Sequence, residues 1–175
     1  MQKSLQIVGC PKSGTAELHE LVAAGFDISE SLFESSNVKP FYFHSGAVLS
    51  KHPTDILEVQ PLLEADDSLY VINIIRDPRA VIASQRGSMK DYFSSYRLWK
   101  QRESISFQLL THPRFLQVHY EELIADPDHV QLQIMRQFPF MVFKKQFSLL
   151  SKHIMSGQKV RGALDSLKAV VGRFR

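Results

Sequence analysis

One loop constrains this chain more than any other feature: Pro11-Lys12-Ser13-Gly14-Thr15, set between two segments of different periodicity. Before it, Leu5-Gln6-Ile7-Val8 is a short apolar run of β-favouring residues; after it, Ala16 to Val22 repeats at helical spacing. A strand that passes through small residues into a helix start makes an anion site. Its free N–H groups converge, and the positive end of the helix dipole points into the loop. Lys12 and the hydroxyls of Ser13 and Thr15 sit in that loop. It is expected to grip a phosphate or sulfate group.

The remaining sequence narrows the setting. At 175 residues, with 44% hydrophobic and 22% charged side chains, the chain reads as one domain, 1–175, with a real core. A net charge of +3 favours anionic ligands weakly and gives no case for nucleic acid. The single cysteine, Cys10, excludes an internal disulfide. It reads as a small packing residue, although the nearby helix start could lower its pKa. No apolar run approaches the roughly 18 residues of a membrane span, and no signal layout opens the chain. A cytoplasmic location is the expectation.

Strands alternate with helices. The first helix is expected to end near Gly25, and residues 26–50 are mixed, with aromatic Pro40-Phe41-Tyr42-Phe43-His44 as an edge strand or a pocket wall. Thr54 is expected to cap a helix reaching Glu64, with Asp55 and Glu58 in its first turns. Leu69–Ile75 is the best strand, apolar enough for a buried parallel position. Asp77-Pro78 starts a helix through Ser84; a longer helical region spans about 90–110; Phe115–His119 is a further strand. Asp126-Pro127 opens a helix to about Gln137, and Phe138–Phe143 reads as core more than as pocket or partner surface. The pattern implies an α/β three-layer fold with a central parallel sheet and a P-loop-like loop.

Polar residues follow each strand: the Lys12 loop, then Arg76 to Ser84, then Tyr120. In an open parallel sheet the carboxyl ends of the strands form the ligand crevice, so the three clusters are expected to face it together. The loop is not a Walker A motif, because its lysine precedes the glycine and no second glycine stands at the required spacing. That argues against a magnesium-dependent P-loop nucleotide kinase. Arg76 and Ser84, eight residues apart, could grip one phosphate from a strand end and the next helix.

These segments resemble the sulfotransferases that use 3′-phosphoadenylyl sulfate (PAPS), closer to their small bacterial-type members. Pro11–Thr15 is similar to the family's 5′-phosphosulfate loop, and Val71–Ser84, with Arg76-Asp77-Pro78 inside it, to the 3′-phosphate segment. Val118-His119-Tyr120-Glu121-Glu122-Leu123 followed by Asp126-Pro127 resembles the family's YEDL…DP stretch, and Ser156–Arg161 its SGNxxR element. The resemblance implies that Lys12 contacts the sulfuryl group and the bridging oxygen. It implies that Ser13, Gly14 and Thr15 hold the 5′-phosphate, that Arg76, Ser84 and Arg161 hold the 3′-phosphate, and that Tyr120 lies near the adenine. The chain departs from the pattern at Ala16-Glu17, where many members carry Thr-Trp, and at Gln158. The usual tryptophan after Arg161 is missing too, with Phe174 the only aromatic residue there.

For the general base, Ser50-Lys51-His52-Pro53 is nearest to the family's K-T-H-x-P pattern, 24 residues before Arg76. His52 suits proton removal from an acceptor, since a histidine pKa near neutrality fits that task. His44 is the alternative, as is an acidic residue or no dedicated base. The other histidines show no metal-ligand spacing. The expected activity is sulfuryl transfer from PAPS to a hydroxyl or amine of a small molecule or carbohydrate, without a metal. A sulfotransferase-like nucleotide-binding protein without activity is the main alternative.

Overall fold

The computed structural model of the chain describes residues 3–34, 46–84 and 94–154. The Pro40–His44 segment, Arg161 and Phe174 lie outside them. The order of elements is β1 (Lys3–Gly9), α1 (Thr15–Gly25), β2 (Glu30–Phe33), β3 (Ala47–Lys51), a 3₁₀ turn (Pro53–Leu57), α2 (Val59–Ala65), β4 (Leu69–Ile75) and α3 (Pro78–Ile82). Then come α4 (Tyr96–Leu109), β5 (Phe115–His119), α5 (Tyr120–Ala125), α6 (Pro127–Gln137) and α7 (Phe147–Ile154).

The five strands form one parallel sheet in the order β2-β3-β1-β4-β5. The winding reverses at β1. From it the chain travels outward to β2, returns to β3 on the same side, then crosses to β4 and β5. A ligand crevice in such a sheet lies at the carboxyl end of that reversal, which is where the Lys12 loop begins.

Strand residues alternate between faces, so each strand feeds two cores. On one face Leu5, Ile7, Leu49, Ile72 and Ile74 join Leu18, Leu21, Val22, Leu123, Ile134, Phe138 and Phe147, most with no exposed surface. On the other face Val8, Leu69 and Val71 meet Ile56, Val59, Leu63 and Leu109. The second core is smaller and shares its face with buried polar residues, Gln6, Ser50 and Asn73.

Several expectations from the sequence need correction. Thr54 is not a helix cap, because the expected helix is split into the 3₁₀ turn and α2, whose N-cap is Glu58. Proline at the first position of the turn fits the tight bend. The fourth helix starts at Tyr96, where the Ser95 hydroxyl accepts from the Leu98 N–H; residues 85–93 lie outside the described residues. β2 and β3 fall in the stretch read as mixed, and Tyr120 opens a short helix of its own. Phe138 is buried, whereas Val142 and Phe143 are exposed, so the phenylalanine-rich stretch is only half core. Among the described residues no helix is long and apolar enough to cross a membrane.

Candidate functional site

The loop after β1 is closely built. Gly9, at φ 154°, ends the strand where a Cβ would lie 2.5 Å from the Ile74 carbonyl oxygen. The Ser13 N–H closes a turn on the Cys10 carbonyl at 3.0 Å. Gly14 then precedes α1 at φ 103°, and among the described residues no side chain caps the helix. The first-turn N–H groups of α1 therefore have no partner within the helix. Lys12 is exposed and takes φ 72°, a left-handed backbone that costs a non-glycine residue about 1–2 kcal/mol. Ser13 is fully buried, and its hydroxyl has no hydrogen-bond partner among the described residues. An unpaired buried hydroxyl, an uncapped helix start and a left-handed lysine meet in four residues. This set of donors fits an anionic oxygen ligand.

Arg76 directly follows β4 and reaches back to this loop. Its Nη1 donates to the Lys12 carbonyl at 3.2 Å, and its guanidinium lies 4.1 Å from the centre of the Tyr120 ring. The same ring lies against Gly14, where a Cβ would stand 2.2 Å from Tyr120. Lys12, Gly14, Arg76 and Tyr120 are thus one contiguous group at the carboxyl ends of β1, β4 and β5. The Trp99 indole N–H holds the Arg76 carbonyl at 3.2 Å. Asp77 does not compete for Arg76. It caps α3 through the Arg79 N–H, and its side chain is bonded to the Arg79 guanidinium, which holds its pKa down at about 2.

The Ser84 hydroxyl donates to the Ala80 carbonyl at 2.9 Å within its own turn. Thr15 is buried at the first position of α1. Cys10 is a buried packing residue, as its sequence setting suggests. The thiol is buried beside Ser94, 3.2 Å from the Ser94 hydroxyl, and burial pushes its pKa up in spite of the nearby helix start.

His52 follows β3 and donates its backbone N–H to the Ile7 carbonyl at 3.1 Å, which fixes it beside the end of β1. Its Nδ1 is 2.5 Å from Asp55 Oδ1, and the Gln6 amide donates to Asp55 Oδ2. Asp55 is only 8% exposed, whereas the His52 side chain keeps 35% of its surface open. Neither Asp55 nor Gln6 was singled out as a site residue from the sequence, although the His-x-x-Asp spacing is visible there. Among the described residues no group of three potential ligands could hold a metal.

Solved structures provide the comparison. No protein-family model matches the chain, and no curated protein matches it by sequence. The mouse sulfotransferase SULT7A1, complexed with PAP, superposes with a TM-score of 0.63 at 14% identity, over 92% of this chain and 67% of its own. The sulfotransferase STF1 from Mycobacterium tuberculosis gives 0.54 at 11% identity, over 91% and 72%. Retinol dehydratase in a complex with retinol and PAP gives 0.53 at 12%, over 91% and 67%. The chain spans about two thirds of the length of these proteins. It has the sulfotransferase fold, an α/β architecture on a central five-stranded parallel sheet.

Proposed function

We propose that this protein is a PAPS-dependent sulfotransferase that moves a sulfuryl group to a hydroxyl or amine of a small molecule or carbohydrate. One observation carries the proposal: donors from two strand ends, the Lys12 loop after β1 and Arg76 after β4, are brought together through the Lys12 carbonyl and the Tyr120 ring in a sulfotransferase fold. A ligand with phosphate groups at both ends of a nucleoside needs two such sets of donors. When bound, PAPS supplies the activated sulfuryl group, and its product is adenosine 3′,5′-bisphosphate (PAP). PAP bound in the similar structures supports this choice of donor.

The roles follow from chemistry. The N–H groups of Gly14 and Thr15 with the Ser13 hydroxyl hold the 5′-phosphate, where the helix dipole favours negative charge. Arg76 holds the 3′-phosphate with charge-assisted hydrogen bonds, joined by Ser84 once its hydroxyl turns from Ala80, and by Arg161. Tyr120 borders the adenine. The Lys12 ammonium stabilises the negative charge that develops on the departing phosphate. His52 takes the acceptor's proton. Catalysis rests on positioning and charge stabilisation, without a metal.

Calorimetry with PAP and a labelled-sulfate transfer assay over mixed acceptors test the proposal. PAP binding is expected together with transfer, and Lys12→Ala is expected to lower kcat roughly 100-fold or more while PAP affinity stays within a few-fold. Binding without transfer to any acceptor would instead make the protein a nucleotide-binding relative. Magnesium-dependent ATP binding without PAP binding would make it a kinase.

A further inference from the structure

We infer that Asp55 is a positioning residue that sets the tautomer and direction of the His52 ring, and that Gln6 holds Asp55 in place. As a statement about turnover, this inference rests on the proposed transfer with His52 as base; as a statement about the imidazole, it stands alone.

The geometry has three parts. His52 and Asp55 are three residues apart across the entry to the 3₁₀ turn, and the Asp55 N–H bonds the His52 carbonyl at 3.2 Å. That backbone closure fixes the two side chains relative to each other. The Asp55 carboxylate then faces inward. One oxygen meets His52 Nδ1 and the other receives the Gln6 amide. Gln6 is the third part. It is 1% exposed on β1, whose residues on either side, Leu5 and Ile7, turn to the apolar core of the opposite face. A buried primary amide on a central strand is costly unless it finds a partner. Here its partner is a carboxylate that is itself nearly buried, so each satisfies the other and Asp55 is held in place.

The consequence for His52 is specific. A carboxylate is an acceptor only, so the neutral imidazole must carry its proton on Nδ1 to bond it. The lone pair then lies on Nε2, on the ring edge away from Asp55. A proton taken from an acceptor hydroxyl arrives at Nε2, the Nδ1–H stays on the ring, and the resulting imidazolium has Asp55 as its counter-charge. The Thr54 hydroxyl also reaches Nδ1, at 3.2 Å, but it lies on the exposed side and accommodates either tautomer. Asp55 alone selects one.

The test combines spectroscopy and kinetics on the full chain. ¹⁵N imidazole shifts, assigned with His52→Gln, are expected to report the Nδ1–H tautomer for neutral His52 in the wild type. In Asp55→Asn the new amide presents either its carbonyl or its NH₂ group to the ring, so the tautomers are expected to mix. The same variant is expected to lower kcat about 100-fold with acceptor KM and PAP affinity within twofold, and Asp55→Glu to recover part of the loss. If Asp55→Asn fails to fold, Gln6→Leu provides the second variant: Asp55 loses its anchor, so partial tautomer mixing and a smaller loss of kcat are expected, and a wild-type tautomer and kcat there overturn the role of Gln6. An Nε2–H tautomer in the wild type overturns the inference. So does a foldable Asp55→Asn with wild-type kcat in a protein that transfers sulfate. Absence of transfer in a wild type that shows the Nδ1–H tautomer overturns the proposed activity and leaves the positioning contact standing.

Discussion

On the face of the sheet covered by α1, α5, α6 and α7, strands β1 and β4 contribute Leu5, Ile7, Ile72 and Ile74 to a single apolar core. On the opposite face the same strands contribute Gln6, Val8, Val71 and Asn73. There the polar side chains find partners in the covering layer: Gln6 with Asp55, and Asn73 with Ser106 at 3.0 Å, whose hydroxyl goes on to Gln117. The first face needs only shape and volume. The second needs satisfied hydrogen bonds: one chain of partners leads from Gln6 through Asp55 to His52 after β3, and the other joins Asn73 to Gln117, its register partner on β5. Alternate residues of one strand thus serve stability and site geometry in turn.

Substitutions at adjacent positions break this comparison most directly. Ile72→Ala removes a fully buried side chain from the apolar face. It is expected to lower stability by about 4 kcal/mol in denaturant titration, with PAP affinity unchanged in the folded fraction. The next effect is pH-dependent and lies at the edge of the same face. His19 is buried between α1 and β2, its Nε2 3.1 Å from the Ser31 hydroxyl, and burial lowers its pKa from 6.5 to about 4. A histidine whose folded pKa is depressed contributes stability that is complete above the unfolded pKa and is lost as pH falls toward the folded one. Stability is expected to fall by roughly 3 kcal/mol between pH 6.5 and 4 from this group alone, and His19→Gln is expected to remove that slope.

At the crevice, Arg76→Ala is expected to weaken PAP binding about 30-fold, close to 2 kcal/mol, with a small change in melting temperature. Calorimetry and thermal melts on the same sample separate the two. The smallest effect is expected on the polar face, next door to Ile72. Asn73→Leu leaves Ser106 and Gln117 bonded to each other, so a loss of about 1 kcal/mol in denaturant titration is expected. A loss as large as that of Ile72→Ala would erase the distinction between the faces.

Where the sequence is periodic and bounded by caps, it is legible. β4, β5, α1 and α6 lie where spacing and the Asp-Pro starts put them. β2 and β3 are not legible, because four- and five-residue strands such as Glu-Ser-Leu-Phe and Ala-Val-Leu-Ser-Lys carry too few apolar positions to separate them from loop. The proximity of the Lys12 loop, Arg76 and Tyr120 follows from one rule about parallel sheets. That the Tyr120 ring lies against Gly14 in particular does not, because it depends on how β5 and α5 pack over the loop. Asp55 was visible as an acidic residue in a first turn, and that explanation hid its partner three residues earlier.

The left-handed backbone at Lys12 has a consequence for how this chain drifts under mutation. Glycine occupies such a conformation without a Cβ clash, so Lys12→Gly would relieve strain of about 1 kcal/mol, offset by the similar entropic cost of ordering a glycine. Folding is therefore expected to be nearly indifferent to a substitution that deletes the loop's ammonium group. A selection for thermal stability alone would accept it, and only a screen that also reads nucleotide chemistry would send it back.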